Sequence, residues 1–524
     1  MEKKTVLPIG EEEICRAREI LNRYSAGKEM RDAAVRDNDR WYRRRHRQGA
    51  GEKNSAWLFN VLVNKHADFT DALPECSVLP REESDRSEAE RLCKVIPVIL
   101  ERSNWQKVYS NAVWSKLKSG TAVYSVVWNP SAENGMGEIE VLNADILRLF
   151  WEPGVRDIQD SRNLFYVELA DKDILEERFP QTRGRLNTGA EAVYMYDENA
   201  DTSGKVTVVD WYYKKRDGGK TVLHYAKFTG DILLYASEND PDRRERGWYD
   251  HGLYPFVMDT LFPDEGAPCG FGFLDVLRGA QDDIDTLGNE LVANARIAAK
   301  KRYFTRVDGC VNEKEFANPD KVFIHVTGSS LGEDSIREIT NQPLPAATLT
   351  VLSNKIQELK ETSGNRDFSQ GGTSGGVTSG TAISALQEAG SKLSRDMISD
   401  GYNAFSLVCQ IVIELIRQFY SAGRTLRITG KNGIDEFIRM DNSLLKPGDG
   451  LREPVFDLSV KASKQTAFNR ERVNSEALSL YREGFFAPER ADESLICLEM
   501  MDIDGKERLK ELIEKNMRGG DEYN

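Results

Sequence analysis

Apolar residues recur every three to four positions early in the chain, then alternate in short runs, then return to helical spacing. Residues 11 to about 120 read as helical. In Glu11–Tyr24, an acidic start precedes Ile14, Ala17, Ile20 and Leu21 on one face, the pattern of a helix with one buried side. Another helix is expected from Ser87 to Arg102, with Ala89, Leu92, Ile96 and Ile99 on one side. From Thr121 the signal changes to runs rich in β-branched and aromatic residues: Thr121–Trp128, Gly137–Leu142, Leu164–Leu169 and Lys205–Tyr213. Asn-Gly and Asp/Ser/Gly turns punctuate them. Thr221–Tyr235 adds a hairpin candidate around Thr229-Gly-Asp231. This block, ending near Phe262, predicts a mostly antiparallel β region between helical segments, hence an α+β chain.

Helical spacing resumes at Phe273. Ile284, Leu287, Leu291, Ala295 and Ala298 predict one helix to about Tyr303, some 45 Å long at ~1.5 Å per residue. Asp282, Asp283 and Asp285 are read as its acidic start, and Arg296, Lys300, Lys301 and Arg302 as its basic end, the order that complements a helix dipole. Residues 305–345 form a compact excursion with one strand expected at Lys321–Val326. A second helix follows from Ala346 to Thr362, with Leu349, Leu352, Ile356 and Leu359 on one stripe. The pair predicts an extended antiparallel hairpin whose narrow apolar stripes suit lateral packing against further copies. Residues 364–380 contain six glycines in 17 positions and no net charge, a composition that cannot pack a core. A very long helical pattern then runs from Thr381 to Tyr420, with Ile383, Leu386, Leu393, Met397, Phe405, Val408, Val412, Leu415 and Phe419 on one face and Gly401 as a possible kink. Strand-like runs at Thr425–Thr429 and Val455–Val460 precede a helical C-terminus from about Thr466 to Met517. No repeat of 20 to 50 residues is visible.

Charge narrows the picture. Over 524 residues, 71 Lys+Arg stand against 85 Asp+Glu, a formal net charge of -14. That balance argues against a surface built to grip nucleic acid, because phosphate binding is driven by cations. Seven scattered cysteines with no Cys-x-x-Cys pair predict reduced thiols in a cytosolic product, not a disulfide framework or zinc module. The N-terminus has no apolar run of signal-peptide length, and the most apolar stretch, Leu407–Ile416, is broken by Gln410 and Glu414. A soluble protein is therefore expected.

Searching for chemistry excludes more than it finds. There is no Gly-x-x-x-x-Gly-Lys-Ser/Thr phosphate loop, and Gly270-Phe-Gly272 lacks the third glycine of a dinucleotide motif. Asp197, Asn199 and Asp201 copy the first ligands of an EF-hand, but Thr202 and Val208 occupy the positions that need Gly and Glu. A polar turn explains them better. His46, His66, His224, His251 and His325 show no ligand spacing, and no nucleophile elbow is present. No catalytic residue, metal or cofactor is expected. The cluster Arg40-Trp-Tyr-Arg-Arg-Arg-His-Arg47 admits two readings: an anionic contact through Arg40, Arg43, Arg44, Arg45 and Arg47, or a solvated or inter-subunit salt-bridging face. The many acids of the chain favour the second.

The order of these elements resembles the portal proteins of tailed bacteriophages and prophages. Three stretches carry the resemblance. Val141–Val167, with Trp151-Glu-Pro-Gly154 in its middle, looks like the wing passage in which a strand leads through an acidic/Pro turn to another strand. Gly270–Leu291 looks like the start of the first stem helix. Ser379-Gly-Thr-Ala-Ile-Ser-Ala-Leu386 is similar to the segment that closes the tunnel loop and opens the long wing helix. The match in order covers roughly residues 20 to 480 and is weakest at about 180–250 and after 480.

The resemblance implies a portal-type α+β subunit. Residues 1–270 would be the wing, 271–304 stem helix one, 305–345 the clip and 346–363 stem helix two. Residues 364–380 would be the tunnel loop, 381–460 the wing's long helix and returning strands, and 461–524 the helical crown. It further implies a homo-oligomeric ring, of twelve subunits in this family, at one capsid vertex of the virion. Double-stranded DNA would pass through the ring on packaging and ejection. Partners would be the terminase large subunit, the major capsid and scaffolding proteins and a head-completion adaptor, with no membrane. The tunnel-loop residues Asn365, Arg366, Asp367, Phe368 and Gln370 would face DNA, as would Arg296, Lys300, Lys301 and Arg302 on the stem. From the residues alone, 364–380 fits either a plain linker or such a loop. The alternatives are a packaging enzyme, which the missing phosphate loop disfavours, and an adaptor or minor capsid protein, for which the helical hairpin has no purpose.

Overall fold

The computed structural model describes residues 8–45, 53–71, 73–186, 196, 200–217, 219–299, 302–305, 312–318, 320–323, 325, 336–339, 345–364, 392–429, 435–443, 445–446, 452–462, 478–479, 481–485, 491–500, 510 and 513. The chain divides into two compact units, one of residues 1–70 with 76–460 and one of 71–75 with 461–524.

The first unit opens with α1 (Glu11–Tyr42) and α2 (Trp57–Thr70), then strand β1 (Pro74–Pro80), α3 (Arg86–Arg102) and α4 (Trp105–Ser119). The acidic first turn of α1 suits the positive end of the helix dipole, and Glu13 reaches back to the Gly10 amide at 3.0 Å. The stripe read in α3 is the buried face of that helix: Ala89, Leu92, Ile96 and Ile99 are all shielded from solvent. Strands β2 (Thr121–Asn129) and β3 (Glu138–Ala144) follow, then β4 (Leu149–Trp151), β5 (Asn163–Asp171), α5 (Lys172–Arg178), β6 (Lys205–Asp217), β7 (Lys220–Thr229), β8 (Ile232–Ala236) and β9 (Phe256–Thr260). They make two antiparallel sheets, ordered β3-β2-β9 and β4-β5-β6-β7-β8. The five-stranded sheet is thus an insertion between β3 and β9. Its hairpin at Thr229-Gly-Asp231 forms as read, with Gly230 at φ 54° and Thr229 opposite Ile232.

Ile14, Ala17 and Tyr24 of α1 close over this sheet against Phe165, Val167, Val209, Trp211, Tyr213, Ala226 and Phe228. The alternating residues of β5 and β6 meet in register, Phe165 opposite Trp211 and Val167 opposite Val209, which gives the helix a continuous apolar floor.

The rest of the first unit comprises β10 (Phe262–Pro263), β11 (Gly270–Phe271), α6 (Phe273–Ala299), β12 (Arg302–Thr305), α7 (Glu313–Phe316), β13 (Ile336–Ile339), α8 (Ala346–Ser363), α9 (Lys392–Phe419), β14 (Arg424–Thr429), β15 (Asp435–Met440) and β16 (Phe456–Ala462). In the second unit, α10 (Ala491–Met500) buries Leu498, and Ser494 bonds the Phe485 carbonyl at 2.6 Å.

The predicted face of α9 is buried at Met397, Phe405, Val408, Val412 and Leu415, while Ile383 and Leu386 lie outside the described residues. The helix runs through Gly401 without a break. A buried ion pair lies beneath it. Lys116 of α4 and Asp259 of β9 form an ion pair at 2.6 Å, both side chains buried. A Cβ on Gly401 would sit 3.4 Å from the Lys116 ammonium. Trp105 packs on Phe405 and Tyr124 beside this pair, with centroids 5.0 and 5.5 Å apart.

Four readings are corrected. Residues 74–80 form β1, paired with β16; the partner strand lies far along the chain, so a local helical window missed it. Lys321, Val322, Phe323 and His325 are not in a strand. Val322 and Phe323 are largely exposed, and the excursion's ladder is instead β12 with β13, Arg302 opposite Ile339. The helix read to Tyr303 ends at Ala299, so Arg302 belongs to that ladder and not to a helical end. Asp282, Asp283 and Asp285 lie in the third and fourth turns of α6, where the first-turn acid is Asp275.

Burial pushes the Asp259 carboxyl up, and the Lys116 ammonium opposes that shift. Removing one partner leaves the other charge buried and unpaired, which costs far more than removing both. Lys116→Met should therefore lower stability by about 3–5 kcal/mol in urea unfolding. The double variant Lys116→Met/Asp259→Leu should recover most of that loss.

Candidate functional site

The segment singled out by the sequence is the helical hairpin α6–α8. Its footing is set by three glycines. Gly120 ends α4 with φ +78°, and a Cβ there would come within 2.2 Å of the Phe271 backbone. A Cβ on Gly270 would meet the Phe262 carbonyl at 2.0 Å, and one on Gly272 the Gly120 nitrogen at 2.8 Å. Gly270-Phe-Gly272 is therefore a junction where three backbones touch, not a phosphate-binding turn. Immediately after it, Asp275 accepts from the Gly272 amide at 2.8 Å and from Asn38 Nδ2 at 2.9 Å. This caps the start of α6 and ties it to α1.

Along the next two turns, α6 presents Gln281, Asp285 and Asn289, spaced four apart and so on one face. Gln281 Oε1 accepts from the Leu58 amide at 3.0 Å, supplying a partner to an otherwise orphan N–H at the start of α2. Its Nε2 donates to Ser55 Oγ at 2.6 Å and to Asp285 at 2.9 Å. Asp285 accepts from the Ser55 amide at 2.7 Å, and Asn289 bonds both the amide and the carbonyl of Lys53 at 3.0 Å. Three side chains of one helix thus bind the backbone of residues 53–58. Gln281 and Asp285 are buried. Sequence reasoning missed this ladder, although the four-residue spacing of short polar side chains was its available signal. Asp283 points elsewhere and pairs with Lys355 of α8 at 3.2 Å, so the acids of this turn serve different neighbours.

Past Asn289 the hairpin loses its cover. Leu359 at the base of α8 is buried, whereas Val292 and Ile297 of α6 and Leu349 and Val351 of α8 are each more than 40% exposed.

The predicted charged residues distribute as follows. Arg296 is exposed in the last turn of α6, and Arg302 is exposed at the start of β12. Lys300, Lys301, Asn365, Arg366, Asp367, Phe368, Gln370 and Arg47 lie outside the described residues. Arg43 bonds Asp39 at 2.8 Å and the Tyr196 carbonyl at 3.1 Å. Arg44 donates to the Asn54 carbonyl, and the Asn54 amide returns a bond to the Arg44 carbonyl at 2.7 Å. These two arginines close the end of α1 within the chain, and Arg40 and Arg45 are exposed beside them. The cluster borders a cleft of about 600 Å³ lined by Asp39, Tyr42, Arg43, Trp114, Lys118 and Tyr196. Lys118 lies 4.9 Å from the Tyr42 ring centre, and burial lowers its ammonium pKa.

Asp201 accepts from the Ser203 amide at 2.8 Å, a local turn before β6, while Asp197 and Asn199 lie outside the described residues. Among the described residues, no group of three or more His, Cys, Asp or Glu side chains is placed to hold a metal ion. No described helix is long and apolar enough to cross a membrane.

Comparison with known proteins agrees with the order of elements. A family model described as phage P22-like portal protein matches residues 71–252 and 264–522. The match runs through the stretches at 180–250 and after 480 where the resemblance was weakest. A curated portal protein of Helicobacter pylori bacteriophage KHP30 is 22% identical over 463 residues, spanning 85% of this chain and 71% of the relative.

The ladder yields a direct test. Gln281→Leu leaves the Leu58 amide and Ser55 hydroxyl without their buried partner, a loss of about 1–3 kcal/mol. Hydrogen exchange should accelerate at Leu58, whose amide loses its acceptor, with amides of the five-stranded sheet changed little.

Proposed function

Because the chain belongs to the phage P22-like portal protein family, we propose that it is the subunit of a ring at one capsid vertex through which double-stranded DNA is packaged and ejected. The observation that carries this reading is the α6–α8 hairpin. It is anchored at its base by glycine contacts and a buried polar ladder, and farther out it bears Val292, Ile297, Leu349 and Val351 exposed on both helices. Copies arranged head to tail about an axis cover such faces with one another and leave no hairpin uncovered. A ring of twelve subunits is what the family resemblance implies.

In this reading the protein is a structural virion component with no catalysis or cofactor of its own. The terminase large subunit docks at residues 305–345. The capsid and scaffolding proteins surround the wing, and a head-completion adaptor follows packaging. The acidic composition suits a channel that lets DNA through, because neutralising even six phosphates gives a strong, salt-sensitive complex. Cations near the end of α6, Arg296 with Lys300, Lys301 and Arg302, then serve as sparse contacts on the channel. The near-neutral, glycine-rich segment 364–380, with Asn365, Arg366, Asp367, Phe368 and Gln370, touches passing DNA and yields. Portal-type segments 1–270 and 381–460 form the wing and 461–524 the crown.

Native mass spectrometry and negative-stain imaging test the ring. Open-centred rings are expected from the wild-type chain, and Val292→Glu/Leu349→Glu should shift the population strongly toward free subunits that remain folded by circular dichroism. A wild-type chain that stays a monomer or closed dimer overturns the reading. Deleting residues 371–376 should leave rings intact but impair DNA packaging or retention. Normal packaging and retention by that deletion removes the tunnel-loop assignment.

A further inference from the structure

Between α1 and the ends of β5 and β6 lies a cleft of about 660 Å³, within the size range of clefts that take small ligands. Arg16 and Arg23 of α1, Arg162 ahead of β5, and Lys214 and Lys215 of β6 line it, against only Glu13 and Glu152. That excess of cations is set in a chain whose formal net charge is -14. Two of the cations are already paired, Arg16 with Glu12 and Lys215 with Glu238, each at 2.6 Å. The two lining carboxylates are turned to backbone: Glu13 accepts from the Gly10 amide and Glu152 from the Arg162 amide, both at 3.0 Å. Lys214 donates to the Gln159 carbonyl. Arg23 and Arg162 are exposed, and among the described residues neither guanidinium has a hydrogen-bond or ion-pair partner. Below these cations the lining is apolar, with Ile20 of α1 beside the rings of Tyr24 and Trp211.

We propose that this cleft binds a short acidic segment of a partner protein, with carboxylates on Arg23 and Arg162 and an apolar side chain against Ile20. The planar guanidinium fork matches a carboxylate and holds it with two parallel bonds. Both arginines are available without breaking an existing pair, so binding forfeits no internal contact of theirs. Nucleic acid fits the site less well. Tyr24 and Trp211 are buried, so neither ring offers a face on which a base could stack. A long polyanion would also run from the cleft on to an acidic chain, whereas a short peptide meets the cleft alone. The ring reading is not needed for this inference, and a failed ring assay leaves it standing.

The test is fluorescence polarisation of the labelled peptide Glu-Glu-Leu-Glu-Glu titrated with the full chain. Saturable binding that weakens with added salt is expected, and Gln-Gln-Leu-Gln-Gln should not bind. Arg23→Gln/Arg162→Gln should weaken binding at least about tenfold, through the loss of charge-assisted bonds. Arg91→Gln/Lys107→Gln removes the same charge from exposed positions on α3 and α4, outside the cleft, and should leave the affinity nearly unchanged. Glu152→Gln keeps an acceptor for the Arg162 amide while removing a negative charge from the cleft. It should tighten binding, a gain that misfolding cannot mimic. No saturable binding by the wild-type chain, or equal losses from the two double variants, overturns the proposal. Tighter binding of a single-stranded oligonucleotide of equal charge also overturns it and assigns the cleft to nucleic acid.

Discussion

The ion pair between Lys116 and Asp259 is the constraint around which the first unit is arranged. It joins a helix, a sheet strand and, through Gly401, the long helix α9, three parts drawn from distant stretches of the chain. Placing two charges in an apolar interior is tolerated only when the pair is tight and the surroundings are closed. Here Trp105, Tyr124 and Phe405 close them. The requirement acts on sequence at a distance. Position 401 lies directly over the pair, and the neighbouring aromatic rings pack beside it.

The hairpin α6–α8 depends on a second set of polar contacts. A helix projecting from a domain has few apolar neighbours to hold its angle, so direction must come from hydrogen bonds at its base. Asp275 ties the first turn to α1, and Gln281, Asp285 and Asn289 bind the backbone before α2. Most of those bonds go to backbone groups, and the Ser55 hydroxyl adds one side-chain partner. The base is therefore held by hydrogen bonds, whereas Val292, Ile297, Leu349 and Val351 farther out are exposed.

Much of this architecture was legible in the residues. The stripes of α1, α3 and α9, the β-rich middle and the Thr229-Gly-Asp231 hairpin follow from periodicity and turn chemistry, which are local properties. Where reading failed, the deciding partner was remote. Strand β1 exists because β16 pairs with it, and Lys321–Phe323 is no strand because β12 and β13 pair with each other instead. Asp282, Asp283 and Asp285 looked like one acidic start and are separate side chains with separate neighbours. Gly401 suggested a kink, and Gly270-Phe-Gly272 a broken motif. The second is a site of close backbone approach and the first lies in an unbroken helix, which a linear pattern cannot distinguish from flexibility.

The sequence by itself determined the fold class, the order of helices and strands, the acidic balance that disfavours gripping DNA, and the likeness to portal proteins. These rest on spacing, composition and order, all carried along the chain. Only the tertiary structure decided which polar residues cooperate. It brought Lys116 to Asp259 and lined Gln281, Asp285 and Asn289 against one stretch of backbone. Such groupings depend on distances of a few ångströms between residues hundreds of positions apart, and no local pattern encodes a distance.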